Sequence, residues 1–375
     1  MTSTHHALVT GAGIAGVAAA TALHQLGWEV DLVERRQATA ATIPTGLFLP
    51  ANGMRAFAAL GAAELLLSRG QPVERLRMRG AGCPAEGVAE VADVWPGLGP
   101  CVAVGRGIAL DALIERCPVP VRPGAGVQYL SQRGAHVEAV LTDGSRNEYD
   151  LIIGADGAYS TVRGLLWPKV MPRYGGESYW RGVVSCPAGL ADWSACFCAA
   201  GTFLAMPIGG GLAYWAAGCS TATAFTDPRQ GRAERVRERF GDVGGVHAQV
   251  LGHIRDDACV QFSPADQVWV EVPVRGRVVL VGDAWHATTP NMAQGGSMAA
   301  EDALVLAQEL AAGPGIDEAL ARYAVRRLPR TRHVQDTTVM RSSIAALPLP
   351  DRLGFVIPNW AELSTGAFSP LVPEP

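Results

Sequence analysis

Short apolar runs separated by glycine-rich turns dominate the start of the chain. Residues 7–9 are β-branched or apolar, a turn with Gly11, Gly13 and Gly16 follows, and an alanine-rich stretch of helical character ends at Gly27. Residues 29–33 then alternate polar with apolar and close on Glu34, so the opening reads as one strand–helix–strand unit. A second piece of the same kind spans residues 101–166, where 137–141, Asp143-Gly144 and 150–153 read as strand, turn and strand. A third, residues 277–310, is a buried strand, a loop and a long apolar-faced helix. Residues 193–226 carry no charge but are cut by Pro207 and Gly209, Gly210 and Gly211, which predicts two buried strands joined by a turn instead of a membrane span. Around Tyr323 the arginines 322, 326, 327, 330 and 332, interrupted by Pro329, read as a solvated helix end.

The pattern implies an α/β fold. A discontinuous Rossmann-like domain of residues 1–70, 100–170 and 273–330 is interleaved with a mainly antiparallel sheet domain of residues 71–99 and 171–272. Residues 331–375 form a C-terminal helical or irregular segment. A length of 375 residues with 49% hydrophobic and 18% charged positions suits about two globular domains. The net charge of −4, without a long basic run, gives phosphate backbones little to bind. Eight cysteines without a CxxC pair point to free thiols in a reducing cytoplasm, and no charged leader precedes the first strand.

Gly11, Gly13 and Gly16 form GxGxxG between a strand and a helix, and Glu34 stands where the second strand ends. The first glycine serves the tight turn, the second admits a pyrophosphate to the backbone, and the third packs helix on strand. Glu34 suits the hydroxyls of an unphosphorylated ribose and repels a 2′-phosphate, which favours FAD or NAD over NADP. Residues 151–167 place Asp156-Gly157 at a strand end with Ser160 and Arg163 opening a helix, a pattern that an Asx turn and helix cap also satisfy. Residues 278–310 repeat the form with Gly282-Asp283, Pro290 and a helix opened by Gly295-Gly296.

Together these motifs resemble the single-component FAD-dependent aromatic hydroxylases, the family of para-hydroxybenzoate and salicylate hydroxylases. Gly11, Gly13, Gly16 and Glu34 match its FAD fingerprint, Asp156, Gly157, Ser160 and Arg163 its Asp-Gly motif, and Gly282, Asp283 and Pro290 its Gly-Asp motif, followed by Glu301-Asp302. Residues 46–61 and Arg106 also fit. The sequence departs from the pattern at Trp285, Ala293, Ser297 and Ala109, where the family often has a small residue, glycine, asparagine and leucine. The extra C-terminal domain of longer members is not expected.

The resemblance implies a monooxygenase. NAD(P)H reduces FAD, O2 forms a flavin C4a-hydroperoxide, and one oxygen hydroxylates or epoxidises an aromatic or polycyclic small molecule. It further implies that Ile14, Ala15 and Arg35 join the fingerprint residues at the cofactor, that Asp283 holds the ribityl chain and that Arg106 meets the pyrophosphate or ribityl region. Val127 would meet the adenine, and Pro290, Gly295 and Gly296 the ring. Substrate candidates in the middle sheet are Tyr179, Trp180, Met206 and Trp215, with Pro290 from the loop; Arg181, Tyr214 and His286 are candidates for polar or acid–base roles. The expected partners are the aromatic substrate and O2, with a homodimer allowed and no nucleic acid, metal or membrane span. Two alternatives stay open at this stage: a flavin-dependent reductase or dehydrogenase on the same scaffold, and a nucleotide-binding module without catalysis.

Overall fold

The computed structural model describes residues 4–37, 44–313 and 315–375. Its first sheet runs Val274–Arg275, Val278–Leu280, Leu151–Gly154, His6–Thr10, Glu29–Glu34 and Val121–Pro123, and every neighbouring pair but the first is parallel. The central strands are apolar without alternation because they are covered by helices such as Ile14–Gln25 and by a three-stranded antiparallel sheet of Val127–Arg133, His136–Leu141 and Arg146–Tyr149. The register carries the consequence for function. Thr10 lies opposite both Val33 and Gly154, and Gly154 lies opposite Leu280. The carboxyl ends of these strands are therefore level, and Gly11, Glu34, Ala155 and Val281 emerge along one edge.

The second sheet is ordered Gln261–Gln267, Arg173–Ser185, Leu212–Ser220, Gly201–Pro207, Trp193–Cys198, Arg75–Gly80 and Glu86–Glu90. It is antiparallel except between Arg75–Gly80 and Trp193–Cys198. One face buries Trp180, Phe203 and Trp215 against the helices Arg232–Arg239 and Gly245–Gly252. The other packs toward a small sheet of Gly46–Leu49, Cys101–Gly105 and Gln71–Val73 and is closed by the helices Leu349–Val356 and Trp360–Phe368.

Several sequence expectations are corrected. The uncharged run forms three strands, because Gly201 starts a second one directly after Cys198 and the Pro207–glycine break joins the second to the third. Gln71–Val73 pairs with Cys101–Gly105 in a small sheet completed by Gly46–Leu49, and so lies outside the seven-stranded sheet. The antiparallel partner of His136–Leu141 across the Asp143-Gly144 turn is the polar run Arg146–Tyr149, whereas residues 151–154 enter the parallel sheet. The helix Ile316–Ala345 passes straight through Pro329 and through the expected boundary at residue 331. The carbonyl that Pro329 leaves without a donor belongs to Val325, which is 74% exposed, so water can serve it.

Nor is the arginine cluster all solvated. Arg327 and Arg330 point inward onto Glu301 and Asp302 of the helix Gly295–Ala312. Arg327 donates to Asp302 and to Glu301, each at 2.8 Å, and Arg330 grips Glu301 through two donors at 2.7 and 2.8 Å. Asn52 adds a donor to Glu301 at 2.9 Å. The second Asp302 oxygen accepts the Gly282 N–H and meets the His286 ring, both at 2.8 Å. A charge network thus fastens the long helix to the loop that carries Asp283. Burial pushes both carboxyls up, but the guanidiniums, with His286 beside Asp302, outweigh it and hold them below the usual range. A depressed folded-state value means the stabilisation is complete above the unfolded carboxylate range and is lost as pH falls through the folded values.

Urea unfolding should therefore show stability falling once the pH drops below about 4. At neutral pH, Arg327→Leu should cost about 3–5 kcal/mol by stranding buried carboxylates. Arg326→Leu, which breaks a more exposed pair with Glu309, should cost less than about 1 kcal/mol. Equal losses for the two variants would contradict the assignment.

Candidate active site

Three loops leave the level strand ends. In the first, a side chain at Gly16 would start 1.7 Å from the Gly11 carbonyl oxygen, so helix and turn can touch only through glycine. Gly13 differs: a side chain there would meet nothing within 4 Å, and no side chain caps the helix Ile14–Gln25 that begins beside it. Bare N–H groups at a helix start facing open space suit a phosphate. Glu34 is fixed by accepting the Ala12 N–H at 3.0 Å and the Arg36 N–H at 2.9 Å. Arg35 packs against Gly126, next to buried Val127, and Arg106 is exposed at the start of Arg106–Ile114.

In the second loop Asp156 spends its carboxylate on a helix start. It accepts the Ser160 hydroxyl and the N–H groups of Thr161 (2.7 Å) and Val162 (3.1 Å), while Ser160 caps Arg163 at 2.9 Å. Gly157 presents bare backbone to open space. Buried Arg163 then donates to the Ala284 carbonyl at 3.0 Å, tying this loop to the third one. There Gly282 has φ +57°, and a side chain on it would meet Ala15 Cβ at 2.9 Å. Glycine is the residue both constraints admit. Asp283 beside it is exposed and, among the described residues, has no protein hydrogen-bond partner. The start of the helix Gly295–Ala312 lies nearby, with Gly295 near Asp283 and Gly296 near Ile14 and Leu47.

The loop between these points, Pro290 to Ala293, also walls a cavity of about 260 Å³ under the seven-stranded sheet. Alternate residues of the sheet line it, among them Tyr179 and Arg181 of one strand, Tyr214 of the next and Met206 beyond. Burial raises the phenols of Tyr179 and Tyr214, for Tyr179 with the nearby Glu177 carboxylate adding to it, so both remain protonated donors at neutral pH.

Strand periodicity places Trp180 and Trp215 on the opposite face, away from the cavity. Trp180 packs among Phe225, Phe240 and Phe262 with its indole on Asp227, and Trp215 stacks on Phe203 at 5.9 Å. His286 is also displaced from the cavity: it is 4% exposed behind the Gly-Asp loop and engaged by Asp302, which makes it structural and not a base toward substrate. Trp285 is fully buried, its indole donating to the Val270 carbonyl at 2.8 Å, so it shapes the core and not the site. Sequence reasoning missed Glu177, Asn291 and Arg341. Glu177 stands in phase with Tyr179 and Arg181, a signal that was available; Arg341 comes from a distant helix and had none.

The chain matches the FAD binding domain family model over residues 4–338. It is 32% identical to the aurachin C monooxygenase/isomerase of Stigmatella aurantiaca over 86% of this chain and 85% of that protein. It is 29% identical to the 3-amino-4-hydroxybenzoate 2-monooxygenase of Streptomyces cremeus over 87% and 84%. Among solved structures, Klebsiella pneumoniae HpxO complexed with FAD and uric acid superposes with a TM-score of 0.84 at 25% identity, covering 98% of this chain and 95% of that one.

Ala293 holds φ +51°, alone among described non-glycine residues in having a positive φ. Ala293→Gly should relieve that strain and raise unfolding stability by about 0.5–1 kcal/mol, read by urea denaturation. A loss of stability would show that the methyl group contributes packing that outweighs the strain.

Proposed function

The chain belongs to the FAD-dependent monooxygenases that carry this FAD binding domain, and from that premise we propose that it oxygenates an aromatic small molecule held in the sheet cavity. Gly13, Glu34 and Asp283 would hold the FAD. The observation that carries this reading is the shared wall: the loop from Asp283 to Gly295 that leaves the cofactor edge contributes Pro290 and Ala293 to the cavity.

The cradle fits the group. Gly13 leaves room for a pyrophosphate, with Ile14, Ala15 and the helix start around it, and Glu34 is set to accept ribose hydroxyls. Arg35 and Val127 flank the adenine end, Arg106 can neutralise phosphate, and the free Asp283 carboxylate suits a polyhydroxylated chain. Bound FAD would supply the redox chemistry, by which two electrons from NAD(P)H activate O2 so that one oxygen atom enters the substrate and the other leaves as water. Gly295 and Gly296 open an 18-residue helix whose positive end would face the ring and favour its electron-rich state. Tyr179 and Tyr214 donate to oxygen atoms on the substrate, and the apolar remainder of the cavity excludes water. Asp156 supports the site through its helix cap. The six-stranded sheet thus carries the cofactor and the seven-stranded sheet the substrate. No helix among the described residues is long and apolar enough to cross a membrane, and eight unpaired cysteines support a reducing compartment such as the cytoplasm.

The purified protein should hold FAD and, with a panel of phenolic and N-heteroaromatic compounds, couple NAD(P)H oxidation to O2 uptake and to a product carrying one added oxygen. Turnover without O2 to a reduced product would contradict this. Gly13→Ala should leave the unfolding free energy within about 0.5 kcal/mol. It should weaken FAD binding at least tenfold, about 1.4 kcal/mol. Unchanged FAD affinity would remove Gly13 from the cradle.

A further inference from the structure

Two hollows meet at one side chain. Among the described residues that line the sheet cavity, Glu177 is the only carboxylate, and there is no imidazole. It is 5% exposed, and its Oε2 accepts from two neutral donors, Asn291 Nδ2 at 3.1 Å and the Ser342 hydroxyl at 2.6 Å. Asn291 also donates to the Ser342 oxygen at 2.9 Å, which holds carboxylate and hydroxyl together. Behind Ser342 lies the second hollow, a groove of about 490 Å³ whose lining includes Tyr174, Thr221, Gln267 and Ser343 and no charged residue. Ser343 and Ala346 of that lining are exposed, so the groove meets water. Cavity and groove are therefore divided here by a single carboxylate–hydroxyl pair.

The strand is shaped for this. Arg173–Ser185 slips out of register with Gln261–Gln267 between Tyr174 and Ser178, and Gly176 inside that irregularity has φ +85°. A bulge of this kind re-aims the side chains beside it. The pair also suits proton transfer, because a hydroxyl accepts a proton on one side while donating one on the other, whereas a guanidinium partner would hold the carboxylate ionised. The other titratable groups of the cavity do not compete. Tyr179 and Tyr214 are kept protonated chiefly by burial, and Arg181 and Arg341 bring guanidinium cations. Burial lowers the Arg341 guanidinium to about 10, which leaves it charged at neutral pH. On the adjoining strand the Cys219 thiol is raised, again chiefly by burial.

We propose that Glu177 is the base that takes the proton of an acidic ring hydroxyl on the substrate, and that Ser342 passes this proton to water in the groove. The substrate O–H bond breaks and its electron pair stays on the oxygen as an aryloxide. The proton bonds to the Glu177 carboxylate, a half-turn of the carboxyl carries it to Ser342 Oγ, and the hydroxyl proton of Ser342 goes to a groove water. The ring becomes electron-rich without water entering the cavity. This rests on the monooxygenase reading and narrows its substrates to aromatics whose hydroxyl can ionise.

Stopped-flow mixing of the FAD-loaded enzyme with 4-nitrophenol, below the pKa of that probe, follows the yellow nitrophenolate as it forms in the cavity. The wild type should ionise the bound probe. Glu177→Gln should bind it within threefold of the wild-type affinity and leave it protonated. Ser342→Val and Ser342→Thr match in shape and differ in the hydroxyl. Both should ionise the probe to the wild-type extent, Ser342→Val at least tenfold more slowly and Ser342→Thr within threefold of the wild-type rate. The proposal is overturned by a wild type that leaves the probe protonated, by ionisation in Glu177→Gln, or by equal rates in Ser342→Val and Ser342→Thr. A protein that takes up no FAD would defeat the monooxygenase reading, while the same mixing on that chain would still report the proton path.

Discussion

The grip of Arg327 and Arg330 on Glu301 and Asp302 is the constraint on which the remainder of the site depends. Two carboxylates and two guanidiniums buried together cost a large desolvation free energy, tolerable only because each charge is paired and hydrogen-bonded. The return is positional. One Asp302 oxygen reaches the Gly282 N–H, so the loop that presents Asp283 is set by the same ions that dock the long helix. Arg330 reaches the other way, to the carbonyls of Pro370 and Leu371, and draws the C-terminal segment onto the sheet. Cofactor loop, long helix and cavity roof are therefore one mechanical unit.

That unit explains how the proposed FAD edge and the proposed substrate cavity, on different sheets, come to share a wall. The level strand ends fix where the dinucleotide loops emerge, and the segment between Gly282 and Gly295 must travel from that edge to the helix start. On the way it passes the sheet face whose alternate residues are Tyr179, Arg181 and Tyr214. The cavity is walled by this loop, by Arg341 of the long helix and by residues of the helices Leu349–Val356 and Trp360–Phe368.

The strand-end loops were legible in the sequence because they are written in backbone requirements: glycine at Gly11, Gly16 and Gly282 is demanded by local geometry, and Gly13 leaves the helix start open, at spacings a reader can see. The cavity was legible only in part. Period two says that Tyr179 and Trp180 face opposite ways, but which of them faces the cavity is decided by where the helices Arg232–Arg239 and Gly245–Gly252 dock, and nothing local to the strand records that. The arginines near Tyr323 read as solvated because charged side chains usually are; their partners lie on another helix, and only the packed structure brings them within reach. Arg146–Tyr149 is too polar to be read as a strand and is held in place by its neighbour in the hairpin.

The account stands most directly on diffraction from crystals grown with FAD. It predicts continuous density for a single FAD that passes Gly13, with its ribose at Glu34, its ribityl chain at Asp283 and its ring against Pro290 at the mouth of the arginine-lined cavity. Density placing the ring away from Pro290, or Glu34 and Asp283 opening into separate spaces that one FAD cannot span, would contradict it.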